Sequence, residues 1–375
     1  MHKIFVKIIK YALLFLLIFI EKPYAQSLRT ILKNSESDLI NYVYDNHEKF
    51  EVQIILTELK KRKNGFTIHK KKFNANKNNY FYPASSIKLP IALLTIEKLN
   101  ESLNLNIDTE FSIQGDTIIT TFKKEITDLF VISSNESYNR LFEFLGQDYI
   151  NKKLKQKGFT DFSISHRLST EKSDNLKTKA INFYKNKKIF QIQKPINNKP
   201  LTKLNLKNLN KGIGFILDNE LQDKSMDFSR KNYFSIEELN NILICLFFTE
   251  VSKNKKFNLS KSQNLLIRKL MSSTPFDMGF DKNIYPNNYN KFFIYGDKDG
   301  MINDNIFNKV GNAYGYSIDN AYIYEEKSDR HFVLTASIYT NGNNILNDNK
   351  YEYHEIGIPF LAEIGRFLTN YNIKQ

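Results

Sequence analysis

Residues 83–100 read PASSIKLPIALLTIEKLN, and the fold of the chain turns on this stretch. Leu93, Leu94, Ile96 and Leu99 recur at helical spacing, which predicts a helix with one buried face. Pro90 has no N–H, so it is tolerated only among the first residues of a helix, whose donors lack partners anyway. That places the helix start close to Ser86 and Ser85 at its N-terminus. There, backbone N–H groups and the positive end of the helix dipole stabilise developing negative charge. Lys88 follows Ser85 by three residues, on the same face. An amine can deprotonate a serine only when held within hydrogen-bond reach, and this spacing supplies one. Ser85 is therefore the candidate nucleophile and Lys88 its activator.

Spacing alone does not single out the pair. Ser169…Lys172 and Ser252…Lys255 share it, but both sit in polar surroundings without a long amphipathic helix behind them. A second element has the context a site needs. Ser133-Ser134-Asn135 follows the apolar Leu129–Ile132 run and precedes a helix ending at Leu145, with Gly146 just beyond. Its hydroxyl suits a proton relay, and its amide suits holding the lysine and the substrate. Ser137-Tyr138-Asn139 and Ser173-Asp174-Asn175 have the same spacing in less fitting surroundings. A third element, Lys309-Val310-Gly311, lies in a strand-like run. Its small residue would let a substrate approach the strand backbone. Lys63-Asn64-Gly65 and Lys298-Asp299-Gly300 repeat the pattern in turns.

Outward from these elements, apolar spacing predicts a helix over 28–44 and strands over 51–59 and 65–73, joined by a turn at Asn64-Gly65. Two amphipathic helices follow at 235–251 and 259–271. Three strands (IFNKVGNAY, SIDNAYIYE, HFVLTASIYT) and a helix at 353–369, interrupted by Pro359, close the chain. The order predicts an α+β fold: an antiparallel sheet whose first and last strands meet, with a helical lobe on one side. Residues 176–234 are rich in Lys and Asn and show no long periodicity. They read as an elaboration on one domain spanning 26–375.

The 375 residues are 41% hydrophobic and 25% charged, an ordinary globular balance. Lys3, Lys7 and Lys10 precede the apolar run Tyr11–Ile20, and Ala25 is a suitable last residue before cleavage. Residues 1–25 thus read as an export signal, too short to span a bilayer. The expected location is periplasmic or secreted. Removing them takes away four Lys and one Glu, so the net charge falls from +14 to +11. That surface favours anionic envelope components, but the cations are scattered and no nucleic-acid motif accompanies them. The lone Cys245 reads as a buried structural thiol. No G-x-S-x-G elbow is present, and His354-Glu355 lacks the second His of a zinc motif, so neither a Ser-His-Asp nor a metal hydrolase is expected. No cofactor is expected.

These elements resemble the class A β-lactamase and penicillin-binding protein superfamily, with its Ser-x-x-Lys, Ser-x-Asn and Lys-Thr-Gly signatures. The stretches PASSIKLPIALLTIEKLN, SSNESYNRLFEFLG, MDFSRKN, IFNKVGNAYGYSIDNAYI and NILNDNKYEYHEIGIPFLAEIGR are similar to class A-related serine hydrolases of Bacteroidetes. The resemblance implies a five-stranded antiparallel sheet packed by terminal helices, with an all-helical lobe carrying Ser133. It implies an acylated Ser85, an activating Lys88, Ser133 as proton shuttle, and Asn135 and Lys309 as binding groups. The backbone N–H groups of Ser85 and Asn312, the residue after Gly311, would form the oxyanion hole. The substrate would be a small or peptide-like acyl compound, a β-lactam or a cell-wall-like peptide. Two departures stand out. Val310 replaces a hydroxyl residue that helps bind the substrate carboxylate. The stretch HRLSTEKSDNL only half matches the loop carrying the deacylating glutamate, leaving Glu171 as candidate base. The alternatives are a penicillin-binding, D,D-peptidase-like or esterase-like enzyme with slow β-lactam release, and a catalytically silent envelope-binding protein.

Overall fold

A computed structural model describes residues 26–63, 65–252, 255–298, 302 and 305–371. The expected export signal, Asn64 of the first turn, and Asp299-Gly300 lie outside them. Helices α1 (Leu28–Lys33) and α2 (Asp38–Asp45) lead into strands β1 (Gln53–Arg62) and β2 (Gly65–Phe73). Then come α3 (Lys88–Asn100), α4 (Phe122–Val131), α5 (Asn135–Leu145) and α6 (Gln147–Gln156). A strand pair, β3 (Ile181–Lys185) and β4 (Lys188–Gln193), precedes α7 (Ile236–Phe247) and α8 (Lys261–Ser272). The chain closes with β5 (Ile306–Ala313), β6 (Tyr316–Glu325), β7 (Arg330–Tyr339) and α9 (Ile358–Asn370).

Five of these strands form one antiparallel sheet in the order β5-β6-β7-β1-β2. The first strand meets the last, with Thr57 opposite Val333. Side chains alternate across a sheet, and here the alternation builds two cores. Ile54, Leu56, Phe332 and Leu334 face the terminal helices, where they meet Ile31, Leu361 and Ile364. Ile55, Leu59, Ile318 and Val333 face α7, α3 and the helical lobe. Each such side chain, fully buried, stabilises by about 1.5–3 kcal/mol.

Two helices differ from the sequence reading. The expected helix at 28–44 is broken: α1 ends at Lys33, and Ser37 starts α2 afresh by accepting the Ile40 N–H at 3.0 Å. The last helix is not interrupted by Pro359. A single π turn at Tyr353–Gly357 runs into α9, and the proline occupies its first turn, where no N–H is needed. Cys245 is buried, and burial pushes its thiol up to about 11, so it is inert near neutrality.

The Lys/Asn-rich segment is stitched into the body rather than set apart from it. β3 pairs with Glu110–Ile113 in a four-stranded sheet, and Gly214–Leu217 pairs in parallel with Ile345–Leu346. The buried Lys211 ammonium clasps both oxygens of Glu51. A longer excursion that contains most of it is closed at a neck formed by residues 165, 166 and 232. Asn232 Oδ1 accepts the Ser165 and His166 N–H groups at 2.7 and 3.1 Å, and its Nδ2 donates to the His166 carbonyl.

Candidate active site

Ala84–Ile87 forms a tight 3-10 turn that passes into α3 at Lys88. Pro90 is the third residue of that helix, so its missing N–H breaks no bond. Lys88 is fully buried. Its amine donates to the Ser133 carbonyl, to Ser133 Oγ at 3.3 Å and to Asn135 Oδ1 at 2.8 Å. Burial first, and the neighbouring Lys309 second, hold it well below the usual lysine range, against the pull of Glu136.

Ser133 sits in left-handed backbone (φ 54°), directly before the Ser134 cap of α5, which accepts the Ser137 N–H at 3.0 Å. This strained turn presents both its carbonyl and its hydroxyl to Lys88. From β5, the buried Lys309 donates to Ser133 Oγ at 2.8 Å and to the Val310 carbonyl at 3.0 Å. Burial brings its amine down to about 7, with Asp319 opposing and Lys291 adding to the fall. One serine hydroxyl thus stands between two lysines.

Gly311 is small for a reason other than substrate access. A Cβ there would lie 2.5 Å from the Ser85 nitrogen and 2.9 Å from the Ala84 Cβ. The strand packs directly against the turn that carries Ser85. Ser85 itself is partly exposed, and among the described residues its hydroxyl forms no hydrogen bond within the protein.

Two cavities, of about 610 and 460 Å³, flank Ser85, and both are lined by Ser85, Asn135 and Asn312. The larger adds Tyr82, His166, Leu168, Ser169, Lys231 and Tyr314. The smaller adds Ser133, Val310, Gly311, Tyr289, Phe292 and His354. Among the described residues, no Asp or Glu lines either.

Glu171 is therefore not where the sequence placed it. Arg167 is buried against Glu143, with Nε to Oε1 at 2.6 Å and NH2 to Oε2 at 3.1 Å. The following loop curls around the same guanidinium, which also donates to the carbonyls of Ser173, Asn175 and Lys177. Glu171 lies exposed on the outside of that curl, lining a separate cavity with Arg140 and Lys179. The loop instead brings other residues to Ser85. Ser169 accepts from Asn135 Nδ2 at 3.0 Å. Leu168 is clamped through its backbone by Asn139, N–H to Oδ1 at 2.8 Å and Nδ2 to the carbonyl at 2.9 Å. His166, Leu168 and Lys231 were missed by the sequence reading, which had set Ser169 aside as a surface coincidence.

A family model described as the beta-lactamase enzyme family matches residues 35–371. Among solved structures, a beta-lactamase from Sphaerobacter thermophilus is 12% identical, with a TM-score of 0.50, covering 87% of this chain and 92% of that one. PBP-A is 11% identical with a TM-score of 0.52, covering 93% and 99%. A beta-lactamase from Desulfarculus baarsii is 10% identical with a TM-score of 0.51, covering 87% and 95%. At such identities the likeness is one of fold. No curated protein matches the chain.

Proposed function

Because the chain belongs to the beta-lactamase enzyme family, we propose that it is an exported acyl-transfer enzyme whose covalent intermediate forms on Ser85. The observation that carries this is the buried Lys88 amine, bridged to Ser133 and Asn135, with Lys309 on the far side of Ser133. The basic, apolar and small residues of 1–25 support export.

In this mechanism the neutral Lys88 amine takes the Ser85 proton as Oγ attacks the substrate carbonyl. Among the described residues the Ser85 hydroxyl is unbonded in this structure, and a catalytic hydrogen bond of this kind forms or tightens when substrate binds. The oxyanion is received by the backbone N–H groups of Ser85 and Asn312. As the carbon–leaving-group bond breaks, Ser133 gives its proton to the leaving atom and recovers one from Lys88. Lys309 steadies Ser133 by donating to its Oγ. Water must then cleave the acyl-enzyme ester.

Among the described residues the cavities hold no carboxylate to activate that water, which favours slow release and a penicillin-binding character for β-lactams. PBP-A supports the comparison: a mutant of it forms an acyl-enzyme complex with penicillin G. Incubation with a fluorescent penicillin is expected to label the wild-type protein and leave Ser85→Ala unlabelled. A chromogenic cephalosporin is expected to be consumed slowly, at about one equivalent before turnover stalls. Labelling at any other residue would refute the assignment of Ser85.

Gly311→Ala tests the geometry. Its Cβ forces the Ser85 turn and β5 apart, and a displacement of this size costs about a hundredfold in rate. Penicillin capture followed by intact mass should show that loss; an unchanged rate would mean the strand does not position Ser85.

A further inference from the structure

Ser133 lines only the smaller of the two cavities beside Ser85. A proton relay must stand beside the leaving group, so the smaller cavity is the leaving-group side and the larger receives the acyl portion. The charge lining the larger cavity is one-sided. Among the described residues it has Arg167 and Lys231 and no carboxylate. Arg167 is neutralised by Glu143. Lys231 is not: among the described residues its ammonium forms no ion pair and no side-chain hydrogen bond, and it stands over the Tyr314 ring at 5.9 Å.

Lys231 also borders a cavity of about 360 Å³ that Asp174 and Asp227 line. Asp174 acts on it only at a distance, and burial outweighs that carboxylate, leaving the amine below its usual range. A half-buried cation without a counter-ion is costly unless something fills the role. The same wall carries a second incomplete group. His166 is buried, its Nδ1 donates to the Arg167 carbonyl, and its Nε2 has no partner. That nitrogen is enclosed, and burial keeps the imidazole neutral near pH 7, so the receiving role is left to Lys231.

We propose that the acyl portion of the natural substrate carries a carboxylate, and that Lys231 receives it in the larger cavity above Tyr314. The proposal rests on acyl transfer at Ser85. It makes Lys231 a specificity residue, remote from the reacting bond.

Benzylpenicillin and its α-carboxy derivative differ by one carboxylate on the acyl side chain, and intact-mass kinetics gives the rate at which each acylates Ser85. The wild-type protein should take the carboxy derivative about tenfold faster, the effect of one hydrogen-bonded charge pair. The ratio should fall to about one in Lys231→Met, persist in Lys231→Arg and invert in Lys231→Glu. Thermal melting identifies any variant that has simply lost its fold, and the arginine variant then carries the comparison. A wild-type ratio of one, or a preference that survives Lys231→Met, overturns the proposal. If neither penicillin forms an adduct, the acyl-transfer reading fails first and takes this one with it.

Discussion

With Lys88 replaced by Met, capture of a penicillin by Ser85 slows by about 10²–10⁴-fold, the usual contribution of a positioned general base. Methionine fills a similar buried volume but leaves the Ser133 carbonyl and Asn135 Oδ1 without their donor, so thermal melting should show a folded, somewhat less stable protein whose chemistry is lost. The pH profile separates this role from a merely structural one. The reactive form of Lys88 is the neutral amine, so the acylation rate rises with pH as the proton leaves. Burial, and then Lys309, depress its proton affinity, so the rise falls well below the ordinary lysine range. Lys309→Met removes a neighbouring positive charge, and the rising limb should move to higher pH. A Lys88→Met protein that acylates at the wild-type rate would leave the serine without its base.

Leu168→Glu is expected to convert slow release into turnover. Leu168 lines the larger cavity with Ser85, almost fully enclosed at 6% exposure, and Asn139 fixes its backbone from both sides. A carboxylate there would project from a rigid mount into a cavity beside Ser85 that has no carboxylate among its described lining residues. General-base assistance is worth about 10²–10⁴-fold in hydrolysis. Burial will raise the new carboxyl's proton affinity, so the gain should grow as pH rises. Chromogenic cephalosporin hydrolysis measures it, with penicillin labelling as the control for acylation. Intact labelling with no faster hydrolysis would mean that the acyl-enzyme persists for some reason other than a missing base.

The parts of the site governed by local rules were legible before the structure. Pro90 dictated a helix start and the apolar run before Ser133 marked a buried helix entry, while the three-residue spacing placed Lys88 one turn beyond Ser85 without announcing that its bonds go to Ser133 and Asn135. That these elements converge with Lys309 and Asn312 came from resemblance, because the two ends of the sheet are joined by pairing no short window contains. Glu171 was misplaced for a related reason. The course of its loop is set by Arg167 reaching Glu143, 24 residues back, and nothing near Glu171 announces that pair. Ser169 was dismissed because a polar cavity wall and a polar surface look alike in one dimension. The break before α2 was readable, since Ser37 ahead of Asp38 is an ordinary helix start, but the apolar spacing on either side concealed it.

The amide of Asn232 holds residues 165, 166 and 232 together whatever lies between them. Closing a chain excursion costs entropy only as the logarithm of its length, about 0.6 kcal/mol for each doubling. Within that excursion, only the turns that pack on nothing else can change length at little thermodynamic penalty, because β3, Lys211 and Arg167 tie the rest to the body. Yet its two roots carry Leu168, Ser169 and Lys231, the wall proposed to receive the acyl group. Ser85, Lys88, Ser133 and Lys309 all lie outside it. On the proposed reading, the residues that would select the acyl group thus hang from a single side-chain amide, on a stretch of chain distinct from the one that would break the bond.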